Sequence, residues 1–525
     1  MKGAVAKLFD VNTTDLRDAI QLGCQTMASV FDANDGDMPF FGSQVLPTAR
    51  LESNRNFDSH VPGRHLNALL NAEDAAGIDI DEAAVEKHSR AALFSYSGAI
   101  ALPLNRTEIG GPITSFNIHN IREGFHALCA LAQYRDSTRA EELAQASIAV
   151  IFKYWDPDSG WHHDRLEREH GVTSLPASTF IIGLARAIGP LVKYYRASGY
   201  GPALELAILL KEKAISEFFL ADGSYDPQRF GGHTHSTTCV LSSLAQLADL
   251  TSDSVLLNRV KAFYDRGLWD IRDELGWVIE SGLDGAPSDL GEVNNTGDIV
   301  ETALILGRWG YPDAYHDAER ILRGHLLPSQ LRDTSFIVDA PNPGLEDCLR
   351  DVAARHVGAF GFPAPYGHQP LGTERVSFNM DIVGGAVGSL CEAYRDTSRL
   401  DPAGHRVNLL FDRETDAIQI KTADGRLDIT VKHPGPLFVR MPPWASLGRV
   451  SVQGVAGPPR FTRGYLLLAS PPVDQPIAVT FPVPEHEVVL KHHTRNIRVR
   501  LRGDAVVAMD SFGADLTFFD PIECS

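Results

Sequence analysis

The chain has 525 residues, 44% of them hydrophobic, enough to bury a sizeable core and to build two or three domains. Its formal net charge of −19 denies a nucleic acid or an anionic membrane the basic face either would need, and favours neutral ligands. No apolar run reaches the roughly 18 residues of a membrane span.

The opening stretch, MKGAVAKLFDVNTTDLRDAI, lacks a sustained apolar core, so no signal peptide is expected. The six cysteines, Cys24, Cys129, Cys239, Cys348, Cys391 and Cys524, stand singly without CxxC spacing. They read as reduced thiols of a cytoplasmic protein, and their isolation argues against a zinc site built from cysteine.

From about residue 14 to about residue 400 the apolar period is that of helices. DLRDAIQLGCQTMASVF, HNIREGFHALCALAQY, RAEELAQASIAVIFKYW, STFIIGLARAIGPLVKYY, LELAILLKEKAISEFF and THSTTCVLSSLAQLADL follow one another, each bounded by Gly, Pro, Asp or Ser. DSVLLNRVKAFYDRG precedes the segment 276–298, GWVIESGLDGAPSDLGEVNNTGD, which holds five acids and no basic residue. IVETALILGRW, DAYHDAERILRGHL and GGAVGSLCEAYRD bring the tally to roughly a dozen helices with no strand-rich interruption. That series suits an (α/α)6-type toroid, whose inner helix ends and loops surround a central pocket.

After about Gly404 the period falls to two. VNLLFD, AIQIKTA, RLDITVKH, PLFVRMPP, RVSVQGV, GYLLLAS, IAVTFPV, EVVLKHH, IRVRLRG and AVVAMDS are separated by turn pieces such as ADGR and HPGP. About ten closely spaced strands imply an antiparallel β-sandwich over residues 401–525, behind a helical domain at 1–400. The sandwich also offers surfaces through which copies of the chain could pair.

Several motifs resemble one carbohydrate-active family. They are VNLLF at Val407–Phe411, LFVRMPPWA at Leu437–Ala445, GYLLL at Gly464–Leu468 and the late strand IRVRLRGDAVVAMD. In the helical half, NIHNIREGFHAL, FGGHTHSTT and GEVNNTGDIVETALILGRWGYPDAYHDAERILRGHLLPSQL join them. Together they are similar to glycoside hydrolase family 127, whose named activity is β-L-arabinofuranosidase. The resemblance implies a zinc bound through a Glu-x-Cys motif and a Cys-Cys pair, with one of the cysteines as nucleophile. Here those positions fall on Glu292-Val293-Asn294 and within Phe378–Asp381, and neither holds a cysteine. Without thiolates no zinc, no other cofactor and no cysteine nucleophile are expected.

The candidate catalytic groups are therefore carboxylates. Glu280 follows an apolar strip with Trp277, so partial desolvation should raise its pKa toward that of a general acid; the alternative is an exposed acid ending a short strand. Glu292 is the second carboxylate or a hydrogen-bond partner of sugar hydroxyls. Asp381 takes the place of the lost thiolates as nucleophile or base, or caps the helix GGAVGSLCEAY. His119, His233, His235 and Asn294 are read as sugar-binding groups; a His-x-His pair alone names no third metal ligand. Asp298 binds sugar or caps the helix after it. Trp161, His162 and His163 form an inter-helix loop that could reach the pocket. The non-helical stretch 361–372 offers Tyr366 and His368 to a cleft or is a surface connection.

These residues point to a glycosidase acting on a small glycan or glycoside, a furanoside among the options. An oligosaccharide lyase using Tyr366, His233 and Asn294 is the rival, although an acidic loop is a poor host for a uronate. A non-catalytic sugar-binding protein is the third reading.

Overall fold

The computed structural model describes residues 6–8, 11–283, 290–362, 364–368, 376–492 and 494–522. Asp284 and Asp289 of the acidic segment, residues 369–372 of the stretch with His368, and Cys524 lie outside the described residues.

Twelve helices form two concentric rings. In chain order they are α1 (Leu16–Met27), α2 (His60–Ala76), α3 (Glu82–Ser95), α4 (Ile121–Arg135), α5 (Thr138–Tyr154) and α6 (Ile188–Ser198). They continue as α7 (Gly201–Glu217), α8 (Thr234–Thr251), α9 (Ser254–Asp265), α10 (Val293–Arg308), α11 (Pro312–Ile321) and α12 (Asp381–Thr397). The even-numbered helices pack in cyclic order, α2 on α4, then α6, α8, α10, α12 and back to α2. Each odd-numbered helix lies outside, against its inner neighbour.

The residues explain the division. Outer α1 buries one stripe, with Leu16, Ala19, Ile20, Gly23 and Met27 inward and charged residues outward. Inner α8 and α10 are buried almost all round, polar residues included. Outer helices also carry ordinary start signals: Asp15, Asp81, Ser137 and Asp253 each accept from a backbone N–H of the first turn, and α7 and α11 carry proline within their first two residues. None of the six inner helices has a side-chain cap.

Short strands interrupt the helical half, contrary to the sequence reading. Val376–Asn379 pairs antiparallel with Gly42–Leu46, which pairs with Arg50–Glu52. This sheet holds the start of α12 beside the start of α2, helped by Met380 N–H donating to the Phe41 carbonyl at 2.7 Å. Such strands escape periodicity because three to five residues barely show a period of two.

Beyond Thr397 the chain is extended. Ser398–Asp401, Gly404–Val407, Leu437–Arg440, Tyr465–Leu468 and Arg460–Thr462 form one five-stranded sheet. Arg413–Glu414, Ile418–Ala423, Arg426–Val431, Ile477–Thr480 and Ser451–Gln453 form another. Val407, Val439 and Leu466 from the first share one apolar core with Ile420, Ile429 and Val479 from the second. A three-stranded sheet, Glu485–Lys491, Asn496–Arg502 and Ala505–Met509, packs its Leu490, Ile497 and Val499 into the large core of the helical half. Among the described residues no helix is long and apolar enough to cross a membrane.

Two glycines set how closely the inner helices approach. A Cβ at Gly63 of α2 would stand 1.8 Å from the Glu123 carbonyl oxygen of α4, and one at Gly384 of α12 would meet the Arg64 backbone at 2.8 Å. Gly63→Ala should therefore destabilise by at least the about 1–3 kcal/mol typical of overpacking. A scanning-calorimetry midpoint equal to that of the wild type would contradict this close approach.

Candidate active site

The starts of the inner helices meet at one end of the ring. At their centre is Glu123, in the first turn of α4 and fully buried. It accepts from Arg186, just before α6, at 2.6 Å, from Arg64 of α2 at 3.0 Å and from its neighbour Arg122 at 3.2 Å. His60 Nε2 lies 3.5 Å from its other oxygen. Burial alone would raise the Glu123 carboxyl, but Arg186, His60, Arg64 and Arg122 outweigh it and hold the group well below the usual carboxylate range.

Arg64 reaches across to Asp381 at 3.0 Å, and His60 Nδ1 stands 3.6 Å from the same Asp381 oxygen. Asp381 is the first helical residue of α12 and makes no capping bond, so the helix-cap alternative does not hold. Burial works to raise its pKa, yet Arg64 and His60 bring it below the ordinary value. Asp298 is no cap either: it lies in the second turn of α10, buried, and accepts from Thr238 at 2.9 Å. Burial and Glu301 push it up to about 7 against the pull of Arg122.

A second cluster lies on the α8 and α10 side. Glu292, immediately before α10, has a side chain 13% exposed. His233 Nε2 stands 3.6 Å from one of its oxygens and His235 Nδ1 3.5 Å from the other. Asn294 donates to Glu292 at 2.7 Å. The outward nitrogens of both imidazoles are also occupied, His233 Nδ1 with the Ser236 hydroxyl at 2.8 Å and His235 Nε2 with Asp298 at 3.4 Å. His119 joins from the other side, its ring 5.1 Å from His233 and 5.5 Å from His60, with Nδ1 bonded to the Ile182 carbonyl at 2.7 Å.

Glu280 reaches this cluster through its backbone. Its N–H donates to the Leu290 carbonyl at 2.8 Å, Ile279 bridges Gly291, and its carbonyl accepts from Thr234 N–H at 3.2 Å. The carboxyl-bearing segment is thus pinned between the start of α8 and the approach to Glu292. The Glu280 side chain stays exposed at the rim, yet partial burial and the Glu292 charge raise its pKa, with His233 opposing. Glu292 moves the other way: burial would raise it, but His233 and Arg64 lower it below the ordinary value. Behind the cluster, a polar cavity of about 30 Å³, large enough for a water, is lined by Arg64, Arg122, His235, Asn294 and Asp298.

The fold of the ring and the sheets is shared with known glycosidases. A family 127 β-arabinofuranosidase aligns over 96% of this chain and 84% of its own, at 12% identity and a TM-score of 0.56. A family 127 β-L-arabinofuranosidase from Geobacillus stearothermophilus T6 aligns over 93% and 80%, at 15% identity and a TM-score of 0.55. A further structure described as a glycoside hydrolase gives 11% identity and a TM-score of 0.53, over 91% and 84%. No family model matches the chain, and no curated protein matches it. At these identities the likeness is one of fold.

The thiolate-held zinc implied by the sequence resemblance does not fit the residues present. Asn294 carries an amide bonded to Glu292, and 378–381 supply Phe378, Asn379, Met380 and the arginine-paired Asp381. Cys239, one turn beyond His235, donates to the Ser236 carbonyl at 3.4 Å, and burial raises its thiol pKa.

Seven sequence candidates, His119, His233, His235, Glu280, Glu292, Asn294 and Asp298, share this end of the ring, and Asp381 joins them through Arg64. Tyr366 does not. It is fully buried, and its hydroxyl donates to Asp273, which also receives His492 Nε2 at 2.7 Å. His368 is buried beside Phe512 of the C-terminal half, where burial lowers its pKa to about 3. His162 pairs with Asp156 at 3.0 Å, just beyond the end of α5. Sequence reading missed His60, Arg64, Arg122, Glu123 and Arg186. The available signal was the spacing of four between His60 and Arg64 within an apolar helix, which puts two polar groups on one buried face.

The base of the acidic segment is also held by charge. Arg272 donates twice to Asp317 of α11, each bond 2.8 Å, and Asp317 also receives the Tyr264 hydroxyl. Burial would raise Asp317, but Arg272 depresses it below its ordinary value. A depressed folded-state pKa contributes stability that is complete above the unfolded value of about 3.9 and is lost as pH falls further. Asp317→Asn should lose about 3–5 kcal/mol at pH 7. Its deficit against the wild type should shrink below about pH 4. Denaturant titrations of both proteins at several pH values check this; a deficit independent of pH would contradict the ion pair.

Proposed function

We propose that the chain is a glycoside hydrolase acting on a small glycan or glycoside in the pocket at the inner helix starts. The observation that carries this reading is the placement of two carboxyls at one end of the ring: the Glu280 backbone is tied to the start of α8 and to the approach to Glu292, and Glu292 lies between His233 and His235. Glu280 is raised, in part by Glu292, while Glu292 is lowered. Groups pushed apart in this way divide the work of acid and base.

Glu280, at the rim, would hold a proton and deliver it to the departing glycosidic oxygen. Glu292, ionised, would serve the anomeric carbon as nucleophile or as base to water, the choice depending on the distance between the two carboxyls around bound sugar. Asp381, paired with Arg64, would add negative charge where an oxocarbenium-like centre develops. His119, His233 and Asn294 offer hydrogen bonds to sugar hydroxyls. Pentofuranosides are the first substrates to try, since structures sharing the fold are named for arabinofuranosides.

Glu280→Gln keeps the shape and removes the proton. On a glycoside with a poor leaving group it should lower turnover on the order of 10²–10⁴-fold while the circular dichroism spectrum is unchanged. Near wild-type cleavage of that substrate would remove Glu280 from the acid role.

A further inference from the structure

We infer that His233, His235 and Glu292 form a binding site for a divalent cation of the zinc class, held by two imidazoles and a carboxylate. Sequence spacing names only the two histidines. The fold supplies the third ligand from 57 residues beyond His235, by setting the approach to α10 beside the start of α8.

Donor atoms of the three side chains all lie within 4.8 Å of one another. The two histidine–carboxylate separations, 3.6 and 3.5 Å, are long for hydrogen bonds. Each is close to the about 3.4 Å that separates two ligand atoms standing about 2.1 Å from a tetrahedral metal, the two histidines facing different oxygens of the carboxylate.

The outer contacts point the same way. Ser236 engages His233 Nδ1 and leaves Nε2 facing Glu292. Asp298 lies on the Nε2 side of His235 and leaves Nδ1 facing Glu292. Partners on the far nitrogen orient imidazoles toward metals in this manner. Arg64, the nearby guanidinium that senses Glu292, is already bound by Glu123 and Asp381. Two imidazoles with one carboxylate suit a borderline cation better than magnesium or calcium, which take oxygen ligands. Three protein ligands leave positions open for water or a sugar hydroxyl; a bound cation would engage Glu292 and His233 as its ligands in place of their free roles at the sugar, and the inference rests on the glycosidase reading only for what the open positions bind.

Cobalt(II) titrated into the metal-stripped full-length protein is the test, read by visible absorption and by elemental analysis, without substrate. One saturable cation per chain is expected, displaced by zinc(II). His233→Ala and His235→Ala should each abolish stoichiometric binding, and Ser236→Ala should weaken it on the order of 10–100-fold. His162→Ala, outside the pocket, should leave it intact. His233 is partly exposed, so its variant carries the test if His235→Ala does not fold. No saturable binding, or binding unchanged in His233→Ala, would overturn the inference. Because the readout needs no turnover, a protein that binds cobalt but cleaves no glycoside counts against the glycosidase reading alone.

Discussion

The cluster at the inner helix starts depends on one buried carboxylate. Glu123 gathers guanidinium groups from α2, α4 and the approach to α6, and so fixes the starts of three inner helices at once. An isolated carboxylate or guanidinium would be prohibitively costly at this burial, so each group requires the others. The same requirement passes outward: Arg64, held by Glu123, has a second nitrogen free for Asp381, and Arg122 leans toward Asp298 at 3.8 Å. The ring is therefore closed by charge at the end where the helices meet.

This arrangement accounts for the missing caps. Four outer helices begin with side chains that satisfy their own first turn, and two carry proline within their first two residues. At the inner starts the positions near the first turn hold Glu123, Glu292 and Asp381, whose charges suit the positive ends of helices without bonding their own N–H groups. Departures from local capping rules are expected where side chains serve a site instead of their own helix.

Legibility of the fold in the sequence followed the same line. Helices such as α5 and α9 could be read from apolar period and punctuation, and the change to a period of two after residue 400 marked the sheets. Glu280, Glu292 and His233 stood out because acids and histidines cluster in short polar segments. Arg64, Glu123 and Arg186 did not, because each sits inside a helical pattern and acquires its meaning from a partner about 60 residues away. Tyr366 misled for the opposite reason. Its place in a Gly- and Pro-rich stretch suggested a cleft, whereas Tyr366 is fully buried and braces Asp273, whose other oxygen accepts from the Leu275 and Trp277 N–H groups ahead of Glu280.

That bracing joins the two halves of the chain. His492, from the end of the three-stranded sheet, bonds Asp273 and packs its ring 4.5 Å from Trp277. The three-stranded sheet thus supports the segment that carries Glu280. Product analysis from a panel of small pentofuranosides and other glycosides, incubated with the protein in ¹⁸O-labelled water, separates hydrolysis from elimination and from binding alone. Hydrolysis gives a saturated reducing sugar carrying ¹⁸O at the anomeric carbon, when analysed before that oxygen exchanges with solvent. An unsaturated, ultraviolet-absorbing product, or glycosides that bind in the pocket and are recovered intact, would contradict it.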